Sequence, residues 1–293
     1  RISERAWRMT GSRMFIEVDK EVSVGDLLKG VIIQSGNDAS VALAEHISGS
    51  EEVFVSIMNQ YAQDLGMTGT HFMNSTGLPD PEHYTTARDM ATLAAALIRD
   101  HPDIYALHSV KEFTYNDIKQ HNRNQMLWRD DTVDGIKTGH TESAGYCLVA
   151  SAKRNNMRLI SVVMGTEGTK ARTRATQSLF NFSFRFFETH QLYKAGESIT
   201  SSKVWKGEKE SFDVGIVDDL YVTIPRGKYK QLDAAIELSP TIVAPINKAD
   251  VQGSLKISLD GEELANRPLI ALQAVALGSF INRIKDDIKL LFE

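Results

Sequence analysis

The sequence predicts an α+β fold in two parts, closed by a short amphipathic helix. Three patterns carry that expectation. Apolar residues at helical spacing, punctuated by capping signals, fill most of the stretch up to Arg99. Two apolar-rich runs, Tyr146 to Ser151 and Arg158 to Met164, flank Asn155-Asn156 and read as a hairpin. From Leu192 onward, short strand-like runs bounded by Gly, Pro, Asp or Asn follow one another as in a small all-β domain.

Taken in order, Ser23-Val24-Gly25-Asp26 reads as a capping box, and Leu27, Leu28, Val31 and Ile32 form the apolar stripe of the helix it opens. The polar break Gln34 to Asp38 follows, and Val41, Leu43, Ala44 and Ile47 then restore helical spacing up to Gly49. A further helix spans Glu51 to Leu65 and stops at Gly66. Met67 to Tyr84 is loop-like, and Thr86 to Asp89 caps a helix that ends before His101-Pro102. Lys111 to Tyr115 reads as a strand. The polar run Gln120 to Asn124 has no period; placed just before a strand it reads as a loop that carries function, with a solvated surface as the default. A helix over Lys170 to Glu188 begins basic and turns aromatic, and its phenylalanines (Phe180, Phe182, Phe184, Phe186, Phe187) are assigned to the core. The β runs are Val214–Val217, Tyr221–Ile224, Ala234–Leu238, Ser254–Leu259 and Leu269–Ala274, with no cluster of chemistry-bearing residues, so this domain reads as a spacer or interaction module. Ser279 to Glu293 places Phe280, Ile281, Ile284, Ile288, Leu291 and Phe292 near one face, which fits a membrane-interface helix or a helix docked on the β domain.

Composition narrows the function classes. Of 293 residues, 42% are hydrophobic and 24% charged, as in an ordinary soluble globular chain. The net charge of −5 leaves no basic footprint for nucleic acid. The single cysteine, Cys147, excludes an internal disulfide; in a strand pattern it reads as a small buried hydrophobe. No metal site and no cofactor are expected, and no run of apolar residues is long enough to span a bilayer.

The chemistry concentrates at two short motifs. Lys137-Thr138-Gly139-His140, expected in a loop just ahead of the Tyr146 strand, offers a fixed cation, a hydroxyl donor and space for a bound backbone beside a strand. Such an edge can take an extended peptide by strand addition while the cation and hydroxyl receive its carboxylate. Alone, this triplet reads equally as a turn with a solvated lysine, and Ser35-Gly36-Asn37 as a plain interhelix turn.

In this order, the first between helices and the second opening a strand, the two match a recognised pair from the set S-x-x-K, S-D-N and K-T-G. With Gln34–Ala39, Asn122-Arg123-Asn124, Val133–Thr141, Phe184–Thr189 and Thr223–Gly227, the whole sequence resembles the serine-type D-alanyl-D-alanine carboxypeptidases, low-molecular-mass penicillin-binding proteins of the 5/6 type. The resemblance implies a β-lactamase/transpeptidase-like domain over 1–190, with an antiparallel sheet flanked by a helical cluster. It further implies a β-sandwich-like domain over 191–278 and a membrane-interface helix over 279–293. A β-lactamase of class A shares the triplets but predicts neither of the last two. By resemblance, Ser35 is a hydroxyl relay to the leaving D-alanine nitrogen, and Asn37 holds the penultimate peptide group. Lys137 holds Ser35, Thr138 bonds the terminal carboxylate, and Arg123 and Arg172 grip that carboxylate. Gly139 lies beside the substrate backbone. His140 tunes the site and offers a backbone N–H to half of an oxyanion hole, a structural histidine being the other reading. The implied partners are the peptidoglycan stem peptide, β-lactam antibiotics and the inner-membrane surface, in the periplasm. One motif is missing: no serine in the chain has a lysine three residues later, and Thr200-Ser201-Ser202-Lys203 only imitates it. The expectation is an N-terminally incomplete enzyme, inactive alone, whose nucleophile precedes Arg1. The alternative is a non-catalytic peptidoglycan-binding or scaffold protein that keeps the cleft.

Overall fold

The computed structural model describes residues 1–291, and the chain divides into two compact units, Arg1–Phe184 and Arg185–Glu293. In the first, helices α1 (Glu4–Trp7), α2 (Val24–Lys29), α3 (Asn37–Ser48) and α4 (Glu51–Asp64) precede α5 (Ala87–Asp100) and α6 (Pro102–Tyr105). A small hairpin, β1 (Glu112–Tyr115) and β2 (Ile118–His121), leads through α7 (Met126–Arg129) to a three-stranded antiparallel sheet. That sheet holds β3 (Val133–Thr141), β4 (Gly145–Arg154) and β5 (Met157–Thr166) in sequence order, so β3 is an edge. Helix α8 (Thr169–Phe186) follows. The second unit contains β6 (Phe187–Tyr193), β7 (Thr200–Lys203), β8 (Ser211–Gly215), β9 (Leu220–Pro225), β10 (Leu232–Leu238), β11 (Val251–Leu259) and β12 (Glu262–Ala271). A five-stranded sheet in the order β10-β11-β12-β8-β7 and the β6-β9 pair enclose its core, and α9 (Phe280–Leu290) ends it. The α+β class, with an all-β second domain, is as the sequence predicts.

Several local expectations need correction. Lys137 to His140 does not form a loop ahead of a strand. It lies within β3, whose Val133, Gly135, Ile136 and Thr138 are buried while Gly139 and His140 are exposed. The run Gln120 to Asn124 is not a solvated loop, because Gln120, Asn122 and Asn124 are buried and their side-chain amides donate to backbone carbonyls. The aromatic run of α8 is only partly core. Phe180 is 1% exposed and packs with Phe184, whereas Phe182 and Phe186 are 56% and 47% exposed. Four phenylalanines spaced by two cannot share one face of a helix; only those four apart do. The helix ends at Phe186 rather than Glu188, since Phe187–Tyr193 pairs with β9, and the division between units accordingly falls ahead of residue 190. Cys147 is only half-buried.

Ser23 caps α2 as expected: its hydroxyl accepts from Asp26 N and donates to the Asp26 carboxylate. The apolar stripe then runs into a π-type turn, Gly30–Gln34, closed by Ser35 in the left-handed conformation (φ 61°, ψ 41°). Asp38, in the first turn of α3, is 1% exposed. Its carboxylate accepts from the N–H groups of Met14 (2.8 Å), Phe15 (2.9 Å), Ile16 (3.3 Å) and Ala39 (2.9 Å), so it stitches the N-terminal segment onto α3. Gly36 beside it is required by packing, since a Cβ there would meet Asp38 Oδ1 at 2.8 Å and Met14 N at 3.1 Å. Removing the carboxylate strands several buried donors, so Asp38→Ala should cost about 3 kcal/mol of unfolding free energy in urea titration. An unchanged midpoint would show that this anchor contributes nothing.

Candidate active site

Ser35 and Asn37, on either side of Gly36, both line one cleft of about 730 Å³ in the first unit. Ser35 reaches it because the left-handed residue after the π-type turn redirects the chain between α2 and α3. Asn37 begins α3 with its N–H on Ser12 O (2.8 Å), and its side-chain amide donates to Thr10 O (2.7 Å). Opposite stands β3. Its outer edge is closed by two side chains at the approach to the motif: the Asn124 amide donates to Gly135 O (3.0 Å) and the His108 imidazole to Ile136 O (2.9 Å). Past Lys137 neither cap reaches, and Thr138, Gly139 and His140 line the cleft. Glycine at 139 is not demanded by packing within the protein. A Cβ there would touch only Cys147 Cβ, at 3.8 Å, so the space it leaves lies toward the cleft.

All eight residues singled out by sequence (Ser35, Asn37, Arg123, Lys137, Thr138, Gly139, His140 and Arg172) line this one cleft. The Lys137 ammonium donates to Ser35 Oγ and, at 2.9 Å, to Thr138 O. Arg123 donates to Ser12 Oγ (2.7 Å). Arg172, 6% exposed, bridges the two strands by donating to Gly139 O (3.1 Å) and Cys147 O (3.2 Å), with Tyr146 under its guanidinium. His140 lies against Tyr146, ring centroids 3.9 Å apart.

The electrostatics are one-sided. Lys137, Arg123 and Arg172 line the cleft, and no Asp or Glu does among the described residues. Burial, reinforced by the charges of Arg123 and Arg172, pushes the Lys137 ammonium down to about 8. Burial likewise pushes Arg172 below its usual range, and a guanidinium remains charged nonetheless. Such a cleft is built to receive an anion beside a hydroxyl that an ammonium holds in place. Among the described residues, no group of three His, Cys, Asp or Glu side chains could hold a metal ion.

Sequence reasoning missed one wall of the cleft and its floor. Thr76, Gly77 and Leu78 form that wall, in a turn organised by Asn74 Oδ1, which accepts from the N–H groups of all three (3.2, 2.8 and 3.1 Å). Asn-x-x-Gly was the available signal. Ser12, Tyr146 and Cys147 also line the site and carried no motif.

Comparison with known proteins agrees with this geometry. The D-alanyl-D-alanine carboxypeptidase family matches residues 1–168, and the penicillin-binding protein 5 C-terminal domain matches 187–277. The D-alanyl-D-alanine carboxypeptidase DacA of Escherichia coli (strain K12) is 46% identical over 283 residues, spanning 96% of this chain and 70% of that protein. DacF of Bacillus subtilis (strain 168) is 39% identical over 297 residues, 97% of this chain and 75% of its own length. The crystal structure of penicillin-binding protein 5 from Haemophilus influenzae superposes with a TM-score of 0.85 at 46% identity, covering 94% of this chain and 82% of that one. With both of its domains matched and the cleft motifs gathered at one site, this chain belongs to the D-alanyl-D-alanine carboxypeptidase family, in the branch that carries the penicillin-binding protein 5 C-terminal domain.

Proposed function

We propose that the cleft removes the terminal D-alanine from peptidoglycan stem peptides through an acyl-serine intermediate, and that β-lactams acylate the same serine. The observation that carries this reading is the Lys137–Ser35 pair set in a cleft whose charged lining, among the described residues, is cationic. The substrate adds along the open part of β3, with its free carboxylate received by Thr138, Arg123 and Arg172. Asn37 holds the penultimate peptide group, which requires its amide to exchange Thr10 O for the substrate. Lys137 fixes Ser35 so that the hydroxyl can pass a proton to the departing amine. The His140 N–H supplies half of an oxyanion hole.

The acylating serine lies outside these 293 residues, since no S-x-x-K occurs in them. The chain alone should therefore form no covalent adduct with a labelled penicillin, read by intact mass. Labelling at Ser35 would make Ser35 a nucleophile and overturn its relay role. In the competing reading, a binding or scaffold protein, no version of the protein is acylated, including one joined to the S-x-x-K segment of a relative.

A pH dependence follows from Lys137. A bound carboxylate favours the ammonium and raises its pKa above the free value of about 8. Affinity for a peptide with a free terminal carboxylate should thus be level below that pH and decline as pH rises through it. Titrating Kd by calorimetry for the free acid and its C-terminal amide checks the sign. A decline shared equally by the amide would assign the titration to another group.

We further propose that the protein sits in the periplasm with α9 on the inner-membrane surface. Ile281, Ile284, Ile288 and Leu291 are 66%, 44%, 54% and 81% exposed, while the polar side is engaged: Asp286 accepts from Lys206 N (2.7 Å) and Asp287 pairs with the Lys206 ammonium. Phe292 and Glu293, assigned to the same helix from sequence, lie outside the described residues. No helix among the described residues is long and apolar enough to cross a membrane, so attachment would be interfacial. Removal of the residues after Gly278 should release the protein from sedimenting vesicles, and moderate salt should not. Equal partitioning of both forms would make α9 a docked structural element.

A further inference from the structure

Both arginines at the carboxylate end of the cleft have neighbours that line a second hollow. His121 and Gln125, on either side of Arg123, and Lys170 and Arg174, on either side of Arg172, line a second concavity of about 620 Å³. Trp128 and Arg129 from α7 and Glu112 from β1 complete it, and His121 and Gln125 belong to both concavities. The α8 residues divide as the helical repeat requires. Lys170 and Arg174, four apart, share the face toward the second concavity, while Arg172 points into the cleft.

The charge of this second site is unbalanced. Arg129, Lys170 and Arg174 have no carboxylate partner among the described residues, whereas the nearby acid, Glu112, is already engaged by Lys119 at 2.7 Å and His121 at 3.3 Å. Trp128 is 46% exposed and lines the same hollow as the cations. Cations from two separate helices around a hollow, with an aromatic wall, form a site for an anionic group carried on an organic branch. The volume is of the order that holds a branch of several heavy atoms rather than a methyl group.

Resting on the carboxypeptidase reading above, we infer that this concavity receives an acidic side chain or branch on the leaving residue. The enzyme then cleaves peptides ending in a D-amino acid larger and more acidic than D-alanine. The terminal carboxylate stays with Thr138, Arg123 and Arg172, and the acidic branch crosses His121 and Gln125 to Arg129, Lys170 and Arg174. The bond broken is the same. The peptide C–N bond opens, the acyl carbon ends bonded to oxygen from water, and the amine leaves with the water's proton.

The test uses enzyme joined to the S-x-x-K segment and three peptides alike but for the leaving residue: D-Ala, D-Glu and D-Gln. With D-Glu, kcat/KM should exceed that with its neutral isostere D-Gln by tenfold or more, and the ratio should shrink with added salt. Arg129→Gln with Arg174→Gln should bring the ratio to near one while leaving D-Ala turnover unchanged. Trp128→Ala should lower turnover of D-Glu and D-Gln together. Equal rates for D-Glu and D-Gln, or a ratio that survives the double substitution, would overturn the inference while D-Ala release stands. Absence of D-Ala release itself would overturn the carboxypeptidase reading and this inference with it.

Discussion

A buried ammonium that shares its cleft with two guanidinium groups, and with no carboxylate among the described residues, is the constraint on which the first unit is organised. Like charges so placed repel, and burial weakens the solvent that would screen them. The fold bears this cost only because each cation is held by neutral acceptors: Lys137 by Ser35 Oγ and Thr138 O, Arg172 by two strand carbonyls, Arg123 by Ser12. Those acceptors are weaker counterparts than an anion. The site is thus polarised toward an anionic ligand before one arrives, the preorganisation that electrostatic catalysis needs.

Holding such groups in place requires a rigid surround, and polar side chains supply it. Asp38 joins the N-terminal segment to α3, Asn122 and Asn124 fasten the chain ahead of β3, and the Tyr105 hydroxyl and Arg158 both bond Asp134 within β3. The β4 and β5 strands are knitted behind it, and Leu148, Ala150 and Phe180 pack into their core cluster. Apolar burial fixes the sheet, while buried amides and carboxylates aim the residues at its edge.

Much of this was legible in the residues because motif and period agreed. Ser35-Gly36-Asn37 sat at a break between two helical stripes, and Lys137-Thr138-Gly139 beside a hairpin, so the pattern gave both the chemistry and the elements that carry it. What stayed hidden depended on partners remote in sequence. Nothing local distinguishes the buried amides of Asn122 and Asn124 from a solvated loop, since their acceptors are Val110 O and Gly135 O. Likewise the strand character of Lys137 to His140 arises from pairing with Tyr146 to Val149 rather than from its own composition. In α8 the count of phenylalanines suggested core, and only the angle between them, set by the helical repeat, decides which are buried.

The caps on the outer edge of β3 have a geometric consequence. A chain lying along a sheet edge shifts register only in steps of two residues if its side chains are to keep their faces. With Gly135 O and Ile136 O already taken by Asn124 and His108, such a chain cannot slide further toward the start of β3, and it must stop near Lys137. The sheet edge is thereby a ruler with a closed end, which would set where the terminus of a peptide laid along it comes to rest. Preference for cutting at a chain end would then be a property of two buried side chains that touch no substrate.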